Sequence, residues 1–254
     1  MIHLNTLDLN IVTQCNFRCI SCAVAAPIAG RHQVMPPDVV AHDLAAIQPY
    51  LHFRVIHLVG GEPLLHPQLV EIIRTARASG VSDETAVLTN GSLLSNMNEE
   101  FWAALHVLQV SVYDQRSRSG IAFAEKQRER FGFILRTVPF AQFIRVLKAN
   151  PDDGRTTFET CAIKRNCYTL NWGKFHMCPQ SIFFPQRLQG LLEGIETDGL
   201  SLEGFSEQSF VQFMNRSEPF NACKICALPS MKWAEWQECA TGENWLKVTQ
   251  QRSV

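Results

Sequence analysis

The chain has 254 residues, is 46% hydrophobic and carries a formal net charge of −1. That size and apolar fraction suit one large globular domain, or one domain with a small appendage. The near balance of 23 basic and 24 acidic residues, with no basic block, argues against a nucleic-acid partner or a polybasic membrane anchor.

The predicted elements alternate over the first 150 residues. "LDLNIV" (7–12) reads as a short strand leading into "QCNFRCISC" (14–22). Pro36 and Pro37 suit a helix start, and Val40, Leu44 and Ile47 share one helical face of 38–48. "RVIHLV" (54–59) is a buried strand ending at Gly60-Gly61. Leu69, Ile72, Ile73 and Ala76 place a helix over 68–79, with Gly80 as its end cap. "TAVL" (85–88) is a third strand that ends at "TNG", 97–104 is helical, and "HVLQVSVY" (106–113) is a fourth strand. A helix over 118–130 is followed by "FGFILRTV" and "AQFIRVLK", two further strands. Strands separated by helices indicate an α/β fold, and six strands are too few to close an eight-stranded barrel. After Pro151 the pattern changes to a hairpin within 161–178 turning at "NWG", a helix near 206–215, and "CKIC". The expected division is therefore 1–150 and 151–254.

No apolar run approaches the ~18 residues of a membrane-spanning helix, and the N-terminus lacks a signal peptide's sections. A cytoplasmic protein with no membrane partner is expected. In a reducing compartment nine cysteines, an odd number, are not a disulfide framework, so metal or cluster ligation leads. Cys15, Cys19 and Cys22, separated by three and two residues, can hold three irons of a 4Fe–4S cluster and leave the fourth iron open. A zinc site borrowing a fourth ligand is the alternative. In "LVGGEPLLHP" (58–67) two glycines permit close approach of backbone to a ligand, and Glu62 offers a carboxylate.

C-x-x-x-C-x-x-C after the first strand, then G-G-E-P after the second, "TNG" after the third and "QVSVY" in the fourth resemble the radical S-adenosylmethionine (SAM) superfamily. The resemblance implies a partial (β/α)6 TIM-like barrel. It implies that Cys15, Cys19 and Cys22 ligate a 4Fe–4S cluster and that SAM chelates the open iron. Gly60, Gly61 and Glu62 would receive the methionine amino group, and Asn90 and Ser111 would touch the ribose or carboxylate. An electron then cleaves SAM to a 5′-deoxyadenosyl radical that abstracts hydrogen from substrate. The residue before the third cysteine is usually aromatic in this superfamily. Here it is Ser21, which leaves only a backbone contact to adenine.

Beyond the boundary, C-x(11)-G-x(4)-C (Cys161 to Cys178) followed by Cys223-x-x-Cys226 resembles the auxiliary-cluster (SPASM or twitch) extension of such enzymes. The long form would carry another cysteine where this chain has Lys232, so the resemblance is to the short form with one auxiliary 4Fe–4S cluster. On chemistry alone a four-cysteine zinc ribbon fits equally. Cys167 and Cys239 are left without a role. The architecture is similar to that of 2-deoxy-scyllo-inosamine dehydrogenases. Abstraction from a carbinol carbon, loss of the hydroxyl proton and passage of one electron to the auxiliary cluster would yield a ketone. A small sugar, aminocyclitol or nucleoside is thus the expected substrate, dehydrogenation or epimerisation the reaction, and a flavodoxin or ferredoxin the electron donor. Candidates for the base are Arg136, Arg145, Arg155, Tyr113 and His57. A peptide maturase is disfavoured because no recognition domain fits before residue 7. A zinc-binding module without catalysis is the third reading. Trp172, Phe183, Phe184, Trp233 and Trp236 are read as packing rather than pocket lining.

Overall fold

A computed structural model describes residues 1–30, 32–188, 198–230, 232–239, 241–242 and 245. The chain divides into two compact units: Met1–Gln14 with Gln33–Ala141, and Cys15–His32 with Gln142–Val254. The cysteine-rich loop thus groups with the second half of the chain.

The first unit is built on five parallel strands: β1 (Ile2–Val12), β2 (Leu51–Gly60), β3 (Ser82–Thr89), β4 (Val107–Val112) and β5 (Ile134–Pro139). They lie side by side in the order β5-β4-β3-β2-β1. Helices α1 (Pro37–Ile47), α2 (Leu69–Ala78), α3 (Glu99–Ala104) and α4 (Gln115–Phe131) connect them. Pro37 opens α1, where its missing N–H is no loss. Gly80, with φ +67, follows the end of α2 and takes the left-handed turn that a β-carbon would disfavour. Leu7, Leu9 and Ile11 of β1 and Ile56 and Leu58 of β2 are fully or almost fully buried. On the opposite face, Val55, Ala86 and Val107 form a smaller apolar cluster. The barrel is open.

The strand "AQFIRVLK" departs from expectation. Only Gln142–Ile144 is extended (β6), and it pairs antiparallel with β10 (Trp233–Glu235) in the second unit. Its apolar residues match a strand, but its partner is 90 residues away in sequence, a pairing that local pattern does not encode.

The second unit also holds α5 (Arg155–Thr160), the hairpin β7 (Tyr168–Asn171)/β8 (Lys174–His176), α6 (Gln180–Arg187), β9 (Leu200–Ser201) and α7 (Glu207–Met214). Strands β7, β8 and β9 are antiparallel neighbours. The hairpin turns where expected: Trp172 (φ 48) and Gly173 (φ 74) both adopt positive φ, as a type I′ turn requires. Helix α7 begins with a capping box in which the Ser206 and Ser209 side chains and backbones bond reciprocally. The core of this unit joins Ile20 and Ala25 of the cysteine loop to Val146, Leu147, Phe184, Leu188, Ile225, Cys226, Cys239 and Trp245. Among the described residues no helix is long and apolar enough to cross a membrane.

Candidate active site

In the first unit the predicted cofactor residues converge at the C-terminal ends of β2 and β3. Gly60 has φ +149, and a β-carbon there would lie 2.2 Å from the Val12 carbonyl oxygen. A β-carbon on Gly61 would lie 2.1 Å from the Gln14 carbonyl oxygen. The Gly61 and Glu62 N–H groups donate to Val12 O (2.7 Å) and Gln14 O (2.8 Å). The two glycines are therefore required by the passage of the chain leaving β1, whatever a ligand adds.

Glu62 is buried rather than solvated. Its Oε1 accepts from Thr89 Oγ1 (2.6 Å) and Leu64 N (3.1 Å), and its Oε2 accepts from Asn90 N (2.8 Å). Burial pushes its pKa up to about 6 against the pull of those three donors. A carboxylate has about four acceptor positions, so roughly one remains for an ammonium group. Asn90 is buried, and its Oδ1 accepts from Ser92 N and Oγ at 2.9 and 2.6 Å, which closes the "TNG" turn. Thr89, a residue the motif reading passed over, ties this turn to Glu62 and also accepts from Gly91 N at 3.0 Å.

The strand register places Asp8, His57, Ala86 and Val107 side by side on one face of the sheet, with Gln109 and Arg136 beside one another further along the same face. Ser111, two residues beyond Gln109, shares that face and is partly exposed. His57 Nδ1 lies 3.0 Å from Asp8 Oδ1. Arg136 forms a bidentate pair with Glu84 at 2.8 and 2.9 Å, which raises the guanidinium pKa and removes it as a base. The Tyr113 ring packs against Phe140 at a centroid distance of 5.6 Å.

In the second unit the three-cysteine loop winds through left-handed backbone at Ser21 (φ 51) and Ala25 (φ 49). The Ser21 hydroxyl is buried without a hydrogen-bond partner. Burial pushes the Cys19 thiol up, and the charges of Cys22 and Cys15 push in the same direction. The indole N–H of Trp236 donates to Cys19 Sγ at 3.2 Å, and Phe17 N donates to Cys15 Sγ at 3.4 Å. Burial raises the Cys22 thiol too, opposed by the N–H groups of Ala26 and Val24 and by Arg187. Three soft donors ringed by N–H groups fit the ligand set of an iron–sulfur cluster. Cys239 also belongs here: its S–H donates to Arg18 O at 3.0 Å.

Cys161, Cys178, Cys223 and Cys226 line one pocket together with Thr157, Lys164, Gln180 and Ser181. Burial raises Cys178 well above its ordinary value, and Cys226, Cys161 and Cys223 add to the rise. Burial likewise pushes Cys226 up to about 12. Among the described residues no three His, Cys, Asp or Glu side chains are grouped to hold a single metal ion. A cubane takes one thiolate at each separate corner, and the four-cysteine pocket fits that donor set. Cys167 is not among the residues lining this pocket. Arg145 donates its backbone N–H to Lys232 O, and Arg155 is exposed in a 3.4 Å pair with Glu218. Of the aromatic residues, Phe183 and Phe184 are buried, Trp172 and Trp233 are exposed, and the Trp236 indole N–H donates to Cys19 Sγ.

Comparison with known proteins bears on both units. The chain is 36% identical to the GTP 3',8-cyclase of Microcystis aeruginosa over 110 residues, 41% of this chain and 32% of that protein. It is 28% identical to the GTP 3',8-cyclase of Marinobacter nauticus over 193 residues, 76% of this chain and 53% of that protein. The chain thus spans between about a third and a half of the length of these curated relatives. Among solved structures, BtrN in complex with AdoMet and 2-DOIA has a similar fold: TM-score 0.51 at 14% identity, over 88% of this chain and 93% of that one. The sequence profile of the Radical SAM superfamily matches residues 9–113. Those residues contain the three-cysteine loop, the Gly-Gly-Glu segment and the "TNG" turn, and they make up about two fifths of the chain.

Proposed function

We propose that this protein is a radical SAM enzyme with one auxiliary cluster, and that it removes hydrogen from a carbinol carbon of a small polyhydroxylated molecule. The observation that carries the proposal is the gathering of Cys161, Cys178, Cys223 and Cys226 on one pocket, in a chain that has a separate three-cysteine loop. Cys15, Cys19 and Cys22 would hold the first cluster, which when loaded supplies the electron that cleaves SAM to the 5′-deoxyadenosyl radical. The four-cysteine pocket would hold a cluster with every iron protein-ligated, suited to one-electron transfer. The remaining acceptor position of Glu62 would take the methionine amino group. Asn90, Ser111 and the Ser21 backbone remain assigned to the cofactor.

Among the base candidates, His57 has the geometry of a proton acceptor. Asp8 holds one ring nitrogen at 3.0 Å, which orients the imidazole and leaves the other nitrogen for a substrate hydroxyl. The likeness to GTP 3',8-cyclases supports keeping a nucleoside or nucleotide among the candidate substrates, beside sugars and aminocyclitols. Dehydrogenation or epimerisation of such a substrate, with a flavodoxin or ferredoxin as electron donor, completes the reading. Anaerobically prepared protein is expected to hold roughly eight irons with matching sulfide, from two cubanes. With dithionite and SAM it is expected to release 5′-deoxyadenosine, with deuterium entering that product from a labelled polyol. One or two zinc ions in place of iron, with no deoxynucleoside released, would refute the proposal.

A further inference from the structure

Helix α6 ends on a cation that no hydrogen bond neutralises. Arg187 is its last residue, and both terminal guanidinium nitrogens are sealed from solvent without a hydrogen-bond partner. The Phe183 ring lies 4.8 Å from its Cζ. A buried charge without a counter-ion is strongly unfavourable, so its retention points to an anion that completes the site. The surroundings identify that anion. Phe184 and Leu188, which flank Arg187 on the same helical turn, sit in the core cluster against which Cys22 packs. Burial pulls Arg187 down to about 10, and the opposing influences are the thiols of Cys22 and Cys15. Arg187 therefore stays protonated at neutral pH, on a helical turn whose neighbours pack into the same core as Cys22.

We propose that the buried, unpaired guanidinium of Arg187 is the fixed countercharge of the cluster held by Cys15, Cys19 and Cys22, and that it raises the reduction potential of that cluster. The inference rests on the radical SAM reading. Three thiolates and four sulfides leave a 4Fe–4S unit anionic, and reduction adds one further negative charge. A positive charge fixed nearby in a low-dielectric setting favours the reduced form more than the oxidised form. Arg187 neither ligates iron nor transfers the electron. It acts through the field at the sulfurs, as the Trp236 N–H does at Cys19 by direct hydrogen bonding.

The test uses the anaerobic holoprotein as wild type, Arg187→Lys and Arg187→Met. The midpoint potential is followed by electron paramagnetic resonance of the signal that changes on adding SAM, which singles out the cluster with the open iron. The Met variant is expected to shift to a more negative midpoint, the Lys variant to recover most of the shift, and the auxiliary signal to stay in place. Loss of this cluster's iron in the Met variant but not in the Lys variant would also support the role, since neutralisation is then needed for assembly. An unshifted midpoint in a fully loaded Met variant would overturn it, as would equal shifts in both variants or iron loss in both. Weaker SAM binding with no change in midpoint would assign Arg187 to the cofactor carboxylate instead. If the wild type itself showed no SAM-sensitive cluster, the radical reading would have failed, not the assignment of Arg187 alone.

Discussion

At the scale of single residues, Glu62 shows how a motif position serves structure and ligand together. Three donors from two segments meet on its carboxylate, so it holds the end of β3 and the "TNG" turn before any cofactor arrives. Its pKa, about 6, lies above the ordinary 4.5 because of burial. A raised folded-state pKa means that the group contributes stability below pH 4.5 that is lost as pH rises through 6, about 2 kcal/mol in all. In Glu62→Gln the amide cannot accept at both ends, so a net loss of about 1–3 kcal/mol is expected. Because the amide does not titrate, the wild-type advantage in urea denaturation should be about 1 kcal/mol larger at pH 5 than at pH 7. Equal differences at the two pH values would show that Glu62 titrates as an exposed acid. The same variant should bind SAM more weakly by isothermal titration while keeping its iron. Thr89→Val tests the structural side separately, and loss of its bond to Glu62 should cost about 1–3 kcal/mol.

At the scale of elements, two glycines that no motif singled out decide how segments meet. Gly120 lies inside α4, where alanine normally gains about 1 kcal/mol. Here a β-carbon would sit 2.0 Å from the Gly91 carbonyl oxygen of the "TNG" turn. Gly120→Ala is therefore expected to reverse that sign and destabilise by about 2 kcal/mol or more, read by thermal denaturation. Gly154 has φ +76, and a β-carbon there would lie 2.8 Å from Lys224 N and 3.0 Å from the Cys223 β-carbon. Gly154→Ala should push the C-x-x-C segment away from the pocket and lower auxiliary-cluster iron, as measured by iron analysis. Full iron in that variant would show that the segment can shift and still ligate. The β7/β8 turn carries a smaller strain: Trp172 holds positive φ without being glycine. Trp172→Asn should raise stability by a few tenths to about 1 kcal/mol, since asparagine tolerates that region.

At the scale of the whole molecule, four cysteines set apart in sequence share one pocket, and three neighbouring ones share a loop. Cys226→Ala is expected to remove about half of the iron while leaving SAM cleavage to 5′-deoxyadenosine in place. Unchanged iron in that variant would dissolve the auxiliary assignment without touching the reading of the three-cysteine loop. Because the thiols of Cys178, Cys223 and Cys226 are raised by burial, loading the pocket must release protons. Reconstitution with iron and sulfide should therefore weaken as pH falls, which can be followed by absorbance.

What the sequence determined by itself is what neighbouring residues encode. Local sequence patterns place helices α1, α2 and α4 and strands β2 to β5 to within about three residues and find the C-terminal half of β1, and "NWG" marks the hairpin turn. The spacing of Cys15, Cys19 and Cys22 is likewise a covalent fact, legible before any fold. Tertiary structure alone decided what depends on distant pairings. It sent β6 to β10 rather than onto the parallel sheet, and it brought Thr89 to Glu62, Trp236 to Cys19 and Gly154 to Cys223. Each of these contacts joins segments tens to hundreds of residues apart, and its energy arises only once a folded core removes both partners from water.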